Sequence, residues 1–204
     1  MADAPETTPT THRTLPLPDE AAVIARAAAG DRMAFAQLME HYQRACYGLA
    51  WRLLSDPDQA ADATQDAFIH AYKAIGSYRG GIFRSWLLRI TANASYDILR
   101  RAQRRPSSPL PDPDEGAPEL PDLGAVNPEA EATKSELYRH LEVALKRLPV
   151  DQRTAVVLCD VYGMDYNEVA AMTDSALGTV KSRIHRGRLR LRELLAEHRE
   201  LFTR

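Results

Sequence analysis

Apolar residues recur every three or four positions over most of the chain, which is the spacing of amphipathic helices. The clearest example lies in residues 33–54, where Phe35, Leu38, Tyr42 and Leu49 would fall on one face. No alternating run of β-branched residues appears, so no strand is predicted and the expected fold class is all-α. Four helices are predicted in the first half of the chain, over about residues 20–29, 33–54, 57–75 and 83–103.

The second half of the chain shows the same helical spacing in shorter pieces. Asp165, with Glu168 three residues later, has the pattern of a capping box and predicts the start of a short helix. That short helix, a tight turn and a longer helix make the layout of a helix-turn-helix. Helices are predicted over about 129–147 and 151–162, then a short one ending near 172 and a longer one starting near 177.

Composition divides the chain into a tail, two domains and a linker. Residues 106–128 are rich in proline, and residues 106–136 hold eight acidic residues against one basic residue. Proline at this density prevents a helix, and the acidity opposes collapse. We therefore predict a disordered tail, a helical domain, an extended acidic, Pro-rich linker and a second helical domain, over residues 1–18, 19–105, 106–128 and 129–204.

Positive charge is concentrated on the predicted last helix, although the whole chain has a formal net charge of −2. Its cations all precede the acid Glu193, and they are Lys181, Arg183, Arg186, Arg188, Arg190 and Arg192. At about 100° per residue, Val180, Ile184 and Leu191 form an apolar stripe. The opposite side combines cations with hydrogen-bond donors, in Lys181, Ser182, His185 and Arg186. Such a face suits base edges in a DNA major groove, whereas the three arginines farther along are better placed for phosphates.

Two other interpretations of this basic helix stay open at this stage. A charged helix face is most often only solvated, and a basic amphipathic helix can bind a membrane surface or a partner protein. Solvated faces, however, usually mix acids and bases at i,i+4 spacing, which this one does not. A membrane-binding or calmodulin-binding helix has no need of a preceding short helix and turn. DNA reading is therefore the favoured interpretation.

The sequence offers little support for an enzyme, a metalloprotein or a membrane protein. It contains no glycine-rich phosphate loop, no nucleophile elbow and no metal-ligand spacing of histidine, cysteine and carboxylate. No apolar run approaches the roughly 20 residues that span a bilayer, and the polar N-terminus does not resemble a signal peptide. Cys46 and Cys159 lie in apolar patterns that favour packing over a disulfide. We expect a cytoplasmic protein without a cofactor, a metal or catalytic activity.

Two long segments resemble the bacterial RNA polymerase sigma factors of the extracytoplasmic-function (ECF) group. "AAGDRMAFAQLMEHYQRACYGLAWRLLSDPDQAADATQDAFIHAYKAI", followed by "YRGGIFRSWLLRITANASYDILRR", resembles region 2 of that family. "LPVDQRTAVVLCDVYGMDYNEVAAMTDSALGTVKSRIHRGRLRLRELL" resembles region 4. The resemblance covers about residues 20–105 and 129–199. Two independent motifs in the family's order make it far more specific than either motif alone.

The resemblance implies an initiation factor that binds core RNA polymerase and promoter DNA. Region 2 would bind the polymerase clamp and melt the −10 element, while region 4 would meet the polymerase flap and read the −35 element. The acidic linker would run toward the RNA exit path, and an anti-sigma factor is the usual partner in this group. The competing hypothesis is a helix-turn-helix regulator that acts without polymerase; the "DATQD" signature and the linker argue against it.

The family's motifs also imply candidate site residues by position. The clamp-binding signature D-x-x-Q-[ED] falls on Asp62, Gln65 and Asp66. The −10-reading loop and helix fall on Arg79, Gly80, Gly81, Phe83, Arg84, Trp86, Arg89 and Asn93. The −35-reading positions fall on Thr179, Lys181, Ser182, Arg183, His185, Arg186 and Arg188. Asn93 offers a base edge both a donor and an acceptor, whereas Trp86 is expected to pack against the core more than to stack on DNA.

The turn of the helix-turn-helix departs from the family pattern. The usual glycine and apolar residue are replaced by Asp174 and Ser175. Aspartate tolerates a left-handed backbone less well than glycine. We expect the turn to survive, with Ser175 capping the helix that follows.

Overall fold

The structure is a computed structural model that describes residues 17–104 and 138–196. The predicted linker, 106–128, and nearly all of the predicted tail lie outside the described residues. Within the described part, all regular structure is helical, which agrees with the predicted all-α class. The α-helices are α1 (Glu20–Ala28), α2 (Arg32–Leu54), α3 (Pro57–Ala74), α4 (Phe83–Arg104), α5 (138–146), α6 (Val150–Val156), α7 (Tyr166–Met172) and α8 (Leu177–Leu195).

Aspartate side chains start three of these helices close to the predicted positions. Asp31 caps α2 and accepts a hydrogen bond from the Met33 backbone N–H at 2.9 Å. Asp56 caps α3, and Pro57 is the first helical residue, where its missing N–H is not needed. Asp165 caps α7 in a complete capping box with Glu168, as predicted. Local side-chain chemistry therefore fixes these boundaries.

The prediction of one regular α-helix over residues 151–162 is wrong. After α6 the chain forms a π-helical segment, Val157–Val161. The Tyr162 N–H donates to the Val157 carbonyl at 3.2 Å, five residues back instead of four. The Tyr162 hydroxyl accepts a hydrogen bond from Arg52 of α2 at 3.0 Å. Apolar spacing carries no trace of such a distant contact, so it could not predict the wider turn.

The helices form two groups that share one apolar cluster. In the first group, α2, α3 and α4 pack against one another and α1 packs against α2; in the second, α8 packs on α6 and α7. Buried residues of both groups belong to a single continuous cluster. Its fully buried large side chains include Leu38, Leu49, Leu53, Leu87, Leu158, Val180 and Ile184.

A buried arginine joins the second group to the first. Arg153 of α6 is only 6% exposed, and its guanidinium donates to the Leu53 carbonyl at 2.9 Å and to the Ser55 hydroxyl at 3.0 Å. The last carbonyls of a helix have no partner within that helix and carry partial negative charge. The end of α2 is therefore a favourable site for the cation, although burial lowers the pKa of Arg153.

A second polar contact lies beside the first. Arg52 of α2 forms an ion pair with Glu142 of α5 at 2.6 Å, and the two side chains are only 12% and 16% exposed. Removing one partner of a buried pair leaves an uncompensated charge, which is strongly destabilising. Together with Arg153, this pair connects α5 and α6 to α2.

Candidate nucleic-acid and polymerase interfaces

The apolar stripe orients α8 as predicted. Val180 and Ile184 are buried, and Gly187 is buried beside them. A Cβ added to Gly187 would lie 2.6 Å from Val156 Cγ2, so the missing side chain allows α8 to approach α6 closely. The opposite side of α8 carries four predicted readers, of which Ser182 is partly exposed and the others, Lys181, His185 and Arg186, are exposed.

Thr179 and Ser182 are joined by a hydrogen bond in the first turns of α8. The Ser182 hydroxyl donates to the Thr179 carbonyl at 2.8 Å. Because its single hydrogen is used within the helix, the hydroxyl faces outward as an acceptor. Ser182 is therefore suited to an amino group on a base edge.

Two predicted −35 residues, Arg183 and Arg188, are instead engaged within their own domain. At about 100° per residue from Val180, they fall near 300° and 80°, on the two margins of the apolar stripe. The Arg188 guanidinium binds the Asp160 carboxylate through Nε at 2.9 Å and Nη2 at 2.6 Å. The hydrogen bond to Asp160 raises the pKa of Arg188. Arg183 makes a single-contact ion pair with Asp151, between Nη2 and Oδ2 at 2.7 Å.

The turn between α7 and α8 survives without its glycine. Asp174 adopts a left-handed backbone with φ 47°, which costs a non-glycine residue roughly 1–2 kcal/mol. The predicted cap at Ser175 is wrong: the N-cap residue of α8 is Ala176, whose methyl group accepts no hydrogen bond. The Ser175 hydroxyl instead donates to the Thr173 carbonyl and accepts a hydrogen bond from Arg183 at 2.8 Å. The Ser175 hydroxyl, which was expected to cap α8, is therefore bonded to Arg183 and Thr173 instead.

Two adjacent glycines shape the predicted −10 loop. Gly80 and Gly81 both have φ 96°, a conformation that would strain any residue with a side chain. The Tyr78 hydroxyl donates to the Gly81 carbonyl at 2.8 Å and closes the loop. Arg79 is exposed on it, and Ile82 is 74% exposed. The loop thus presents open backbone, one cation and one apolar side chain to a ligand.

An aromatic cluster supports this loop from beneath. Trp86 packs against Tyr78 and Phe83, with ring centroids 5.3 Å apart in each case. Phe83 is 2% exposed and also contacts Tyr42. Packing was the expected role for Trp86, and Phe83 shares it. These two side chains therefore form the wall behind the loop.

The remaining predicted residues of α4 point in different directions. Arg84 is partly buried near Tyr42 and Cys46. Burial raises the pKa of the Tyr42 hydroxyl and raises that of the Cys46 thiol to about 11. The positive charge of Arg84 lowers both pKa values and so opposes the effect of burial. Arg89 and Asn93 are exposed one turn apart, so they share a face. The structure thus brings Arg89 and Asn93 together and separates Arg84 from them.

The helix-turn-helix contacts this same face of α4. Arg89 forms an ion pair with Glu168 of α7. The Tyr96 hydroxyl donates to the Thr173 carbonyl, in the turn before α8, at 3.3 Å. Sequence reasoning missed both contacts, because each joins residues that lie more than seventy positions apart.

The three predicted clamp-binding residues lie together on the exposed side of α3. Asp62, Gln65 and Asp66 line a groove, as their spacing on one helix face required. The opposite wall, which sequence reasoning missed, comes from the last turns of α4. Its residues are Ile98, Arg101 and Ala102. Four arginines near the end of the predicted fourth helix were the available signal: Arg100, Arg101, Arg104 and Arg105. The groove therefore offers two carboxylates on one wall and a guanidinium on the other.

Residues 17–104 and 138–196 contain neither a candidate metal-binding cluster nor a candidate membrane-spanning helix. No set of three or more histidine, cysteine, aspartate or glutamate residues in that part of the chain could hold a metal ion. None of its helices is long and apolar enough to cross a membrane.

Comparisons with known proteins match both helical groups. The family models Sigma-70 region 2 and Sigma-70, region 4 match residues 38–105 and 138–191. The chain is 41% identical over 174 residues to ECF RNA polymerase sigma factor SigE of Mycolicibacterium smegmatis, covering 84% of this chain and 66% of SigE. It is 40% identical over 178 residues to ECF RNA polymerase sigma factor SigM of Mycobacterium tuberculosis, covering 86% and 84%.

Two solved structures share the fold. One is CnrH in complex with the cytosolic domain of CnrY, with a TM-score of 0.53 and 26% identity over 87% of this chain and 97% of CnrH. The other is the sigma factor RpoE of Bartonella quintana in complex with the anti-sigma factor NepR, with a TM-score of 0.52 and 29% identity over 79% and 96%.

These matches define a protein of the sigma-70 class, with region 2 followed by region 4. The chain belongs to the ECF group of RNA polymerase sigma factors, the transcription initiation factors that direct RNA polymerase to specific promoters.

Proposed function

We propose that this chain recruits core RNA polymerase to its promoters through separate polymerase-binding and DNA-binding surfaces. Residues 19–105 bind the clamp and the −10 element, and residues 129–204 meet the flap and read the −35 element. One observation carries this proposal: the clamp motif on α3 and the reading face of α8 are both exposed on the same chain. The protein acts by binding, without catalysis of its own, in the cytoplasm with the polymerase and the chromosome.

At the −35 element, α8 would enter the major groove with its outward face. Arg186 can donate to both acceptors of a guanine, a contact that supplies about 1–3 kcal/mol of discrimination. Ser182 can accept from the amino group of adenine or cytosine, because its hydrogen is bonded to the Thr179 carbonyl. Lys181 and His185 extend the same face, and Arg190 lies where it can meet a phosphate.

At the −10 element, the loop around Gly80 and Gly81 would receive an unstacked base. Extruding a base costs a few kcal/mol, which binding to the loop must offset. The two glycines let a base approach the backbone closely, while the Tyr78 hydroxyl holds the loop in shape. Arg79 can neutralise a nearby phosphate, and Asn93 can pair with a base edge.

On the polymerase side, the groove between α3 and α4 would receive the clamp. Asp62 and Asp66 favour basic side chains on the partner, while Arg101 on the opposite wall favours an acidic one. The predicted acidic linker, outside the described residues, would run toward the RNA exit path. Because CnrH and RpoE are each solved with a protein partner, and NepR is an anti-sigma factor, we further propose an anti-sigma partner for this chain.

Selection of promoter fragments tests the proposal. Core polymerase with and without the chain is incubated with a library of promoter fragments, and the retained fragments are sequenced. We expect a shared pair of elements only when the chain is present.

The double variant Gln65→Ala/Asp66→Ala should fail to join core polymerase in a pull-down, whereas Glu40→Ala, which changes an exposed acid on α2, should join normally. Equal binding by both variants would contradict the clamp assignment.

A matched pair of variants on α8 separates base reading from phosphate binding. Arg186→Ala should relax the preference at one position of the −35 element. Arg190→Ala should weaken binding equally on all −35 sequences and reduce the salt dependence of binding. If Arg186→Ala left every base preference unchanged, α8 would not be reading bases through that residue.

A further inference from the structure

We propose that Arg183 is a positioning residue for the −35-reading face and is not a DNA ligand. It sets the placement of α8 through Asp151 and Ser175. This inference rests on the proposed function of α8 as the −35 reader. It revises the role that the family resemblance implies for Arg183.

The Arg183 guanidinium divides its donors between two elements of the helix-turn-helix domain. Nη1 donates to the Ser175 hydroxyl at 2.8 Å, and Nη2 donates to Asp151 Oδ2 at 2.7 Å. The Ser175 hydroxyl in turn donates to the Thr173 carbonyl at 3.1 Å. One side chain of α8 is thus connected to the first turn of α6 and to the turn that precedes α8.

The turn has a specific need for such a connection. Asp174 adopts a left-handed backbone with φ 47°, although it is not a glycine. Ala176, the N-cap residue of α8, has no side-chain oxygen to fix the helix start. Arg183 lies about two turns into α8 and donates a hydrogen bond to Ser175 in the preceding turn. It therefore connects α8 directly to the turn that determines the orientation of this helix.

The surroundings of Arg183 also disfavour a phosphate ligand. Its side chain is only 25% exposed, and the carboxylate of Asp151 lies against it. A phosphate approaching this guanidinium would meet that negative charge, and two of the five N–H donors are already engaged. Lys181 and Arg186 are exposed on the reading face and meet neither obstacle.

Promoter binding by reconstituted holoenzyme distinguishes positioning from DNA contact. Binding is measured over a range of salt concentrations on the selected promoter and on promoters with single changes in the −35 element. Ser175→Ala removes one partner of Arg183 without touching its charge. Arg183→Lys keeps the charge, but a lysine ammonium group lacks the two separate nitrogens that bind Ser175 and Asp151. Arg183→Gln removes the charge. Glu193→Gln is the matched control, because it breaks the exposed Arg190–Glu193 pair on the same helix.

Positioning predicts that Ser175→Ala, Arg183→Lys and Arg183→Gln each reduce discrimination among −35 sequences by about fivefold, at the low end of one base contact. The salt dependence should stay at the wild-type value. The double variant Ser175→Ala/Arg183→Gln should be no worse than either single variant. Glu193→Gln, which leaves Arg183 and both its partners in place, should keep the wild-type discrimination among −35 sequences. Melting curves of the variants confirm that they are folded.

Phosphate binding predicts a different pattern, and that pattern would overturn the inference. Arg183→Gln would then weaken binding equally on every −35 sequence and lower the logarithmic salt slope by about one. Ser175→Ala and Arg183→Lys would retain full discrimination. If wild-type holoenzyme itself showed no dependence on the −35 sequence, the proposed function would fail, and the inference would fall with it.

Discussion

Adding one methyl group at Gly187 should push α8 away from α6. The Cβ of Gly187→Ala would lie 2.6 Å from Val156 Cγ2 and 3.4 Å from the Gln152 carbonyl oxygen. Carbon atoms in contact normally lie about 3.5–4.0 Å apart, so roughly 1 Å of movement is required. Val156 is 2% exposed and β-branched, which leaves it little freedom to rotate away.

The magnitude follows from a comparison within the same helix. Overpacking of a core typically costs about 1–3 kcal/mol. Alanine also stabilises a helix relative to glycine by about 0.8–1.0 kcal/mol, which partly offsets that cost. Gly178, in the first turn of α8, is exposed, and among the described residues nothing lies within 4 Å of its added Cβ. Gly178→Ala therefore carries the propensity gain without the clash.

Thermal unfolding followed by circular dichroism measures the difference. In a chain of this size, 1 kcal/mol corresponds to about 2–4 °C in Tm. We expect Gly187→Ala to melt about 2–12 °C below Gly178→Ala, because the propensity gain is common to both variants and only the cost of overpacking separates them. A second change, Val156→Ala, should be less damaging in the Gly187→Ala background than in wild type, because it removes the clashing methyl group. If Gly187→Ala melted at or above Gly178→Ala, the close approach of α8 to α6 would be refuted.

Three further substitutions and one chemical modification probe separate features of the fold. Arg153→Met leaves the Leu53 carbonyl without its charged donor and should lower the free energy of unfolding in urea by about 1.5–3 kcal/mol; no loss would contradict the buried contact. In the same assay, Asp165→Ala removes the capping box and should cost about 1 kcal/mol. Asp174→Gly should stabilise by up to about 1 kcal/mol, because relief of the left-handed backbone exceeds the entropy cost of glycine. Burial raises the pKa of the Cys159 thiol from 9.0 to about 11. Iodoacetamide at pH 8 should therefore modify Cys159 about 100-fold more slowly in the native chain than in the unfolded chain, and equal rates at Cys159 would contradict that shift.

Local chemistry made most of the fold predictable from the sequence. The face of α8 that carries Lys181, His185 and Arg186 follows from the period of the helix and the positions of its apolar residues. The capping box at Asp165 follows from two residues three positions apart. Each of these features depends on neighbours within one or two helical turns.

Features that depend on distant neighbours could not be predicted. Arg183 and Asp151 are 32 positions apart, and nothing in either local pattern indicates that they pair. The same holds for Arg153, whose acceptor on α2 lies 100 positions away. The helical period puts Gly187 about 20° from Val180, on the packed side of α8, but only the tertiary structure shows that a methyl group does not fit there.

The role of this ECF sigma factor in promoter recognition is tested most directly by run-off transcription with purified core polymerase on a promoter library. The account predicts discrete transcripts that depend on the chain and disappear when either selected element of a promoter is changed. Core polymerase that gave the same products with and without the chain, on every promoter in the library, would contradict it.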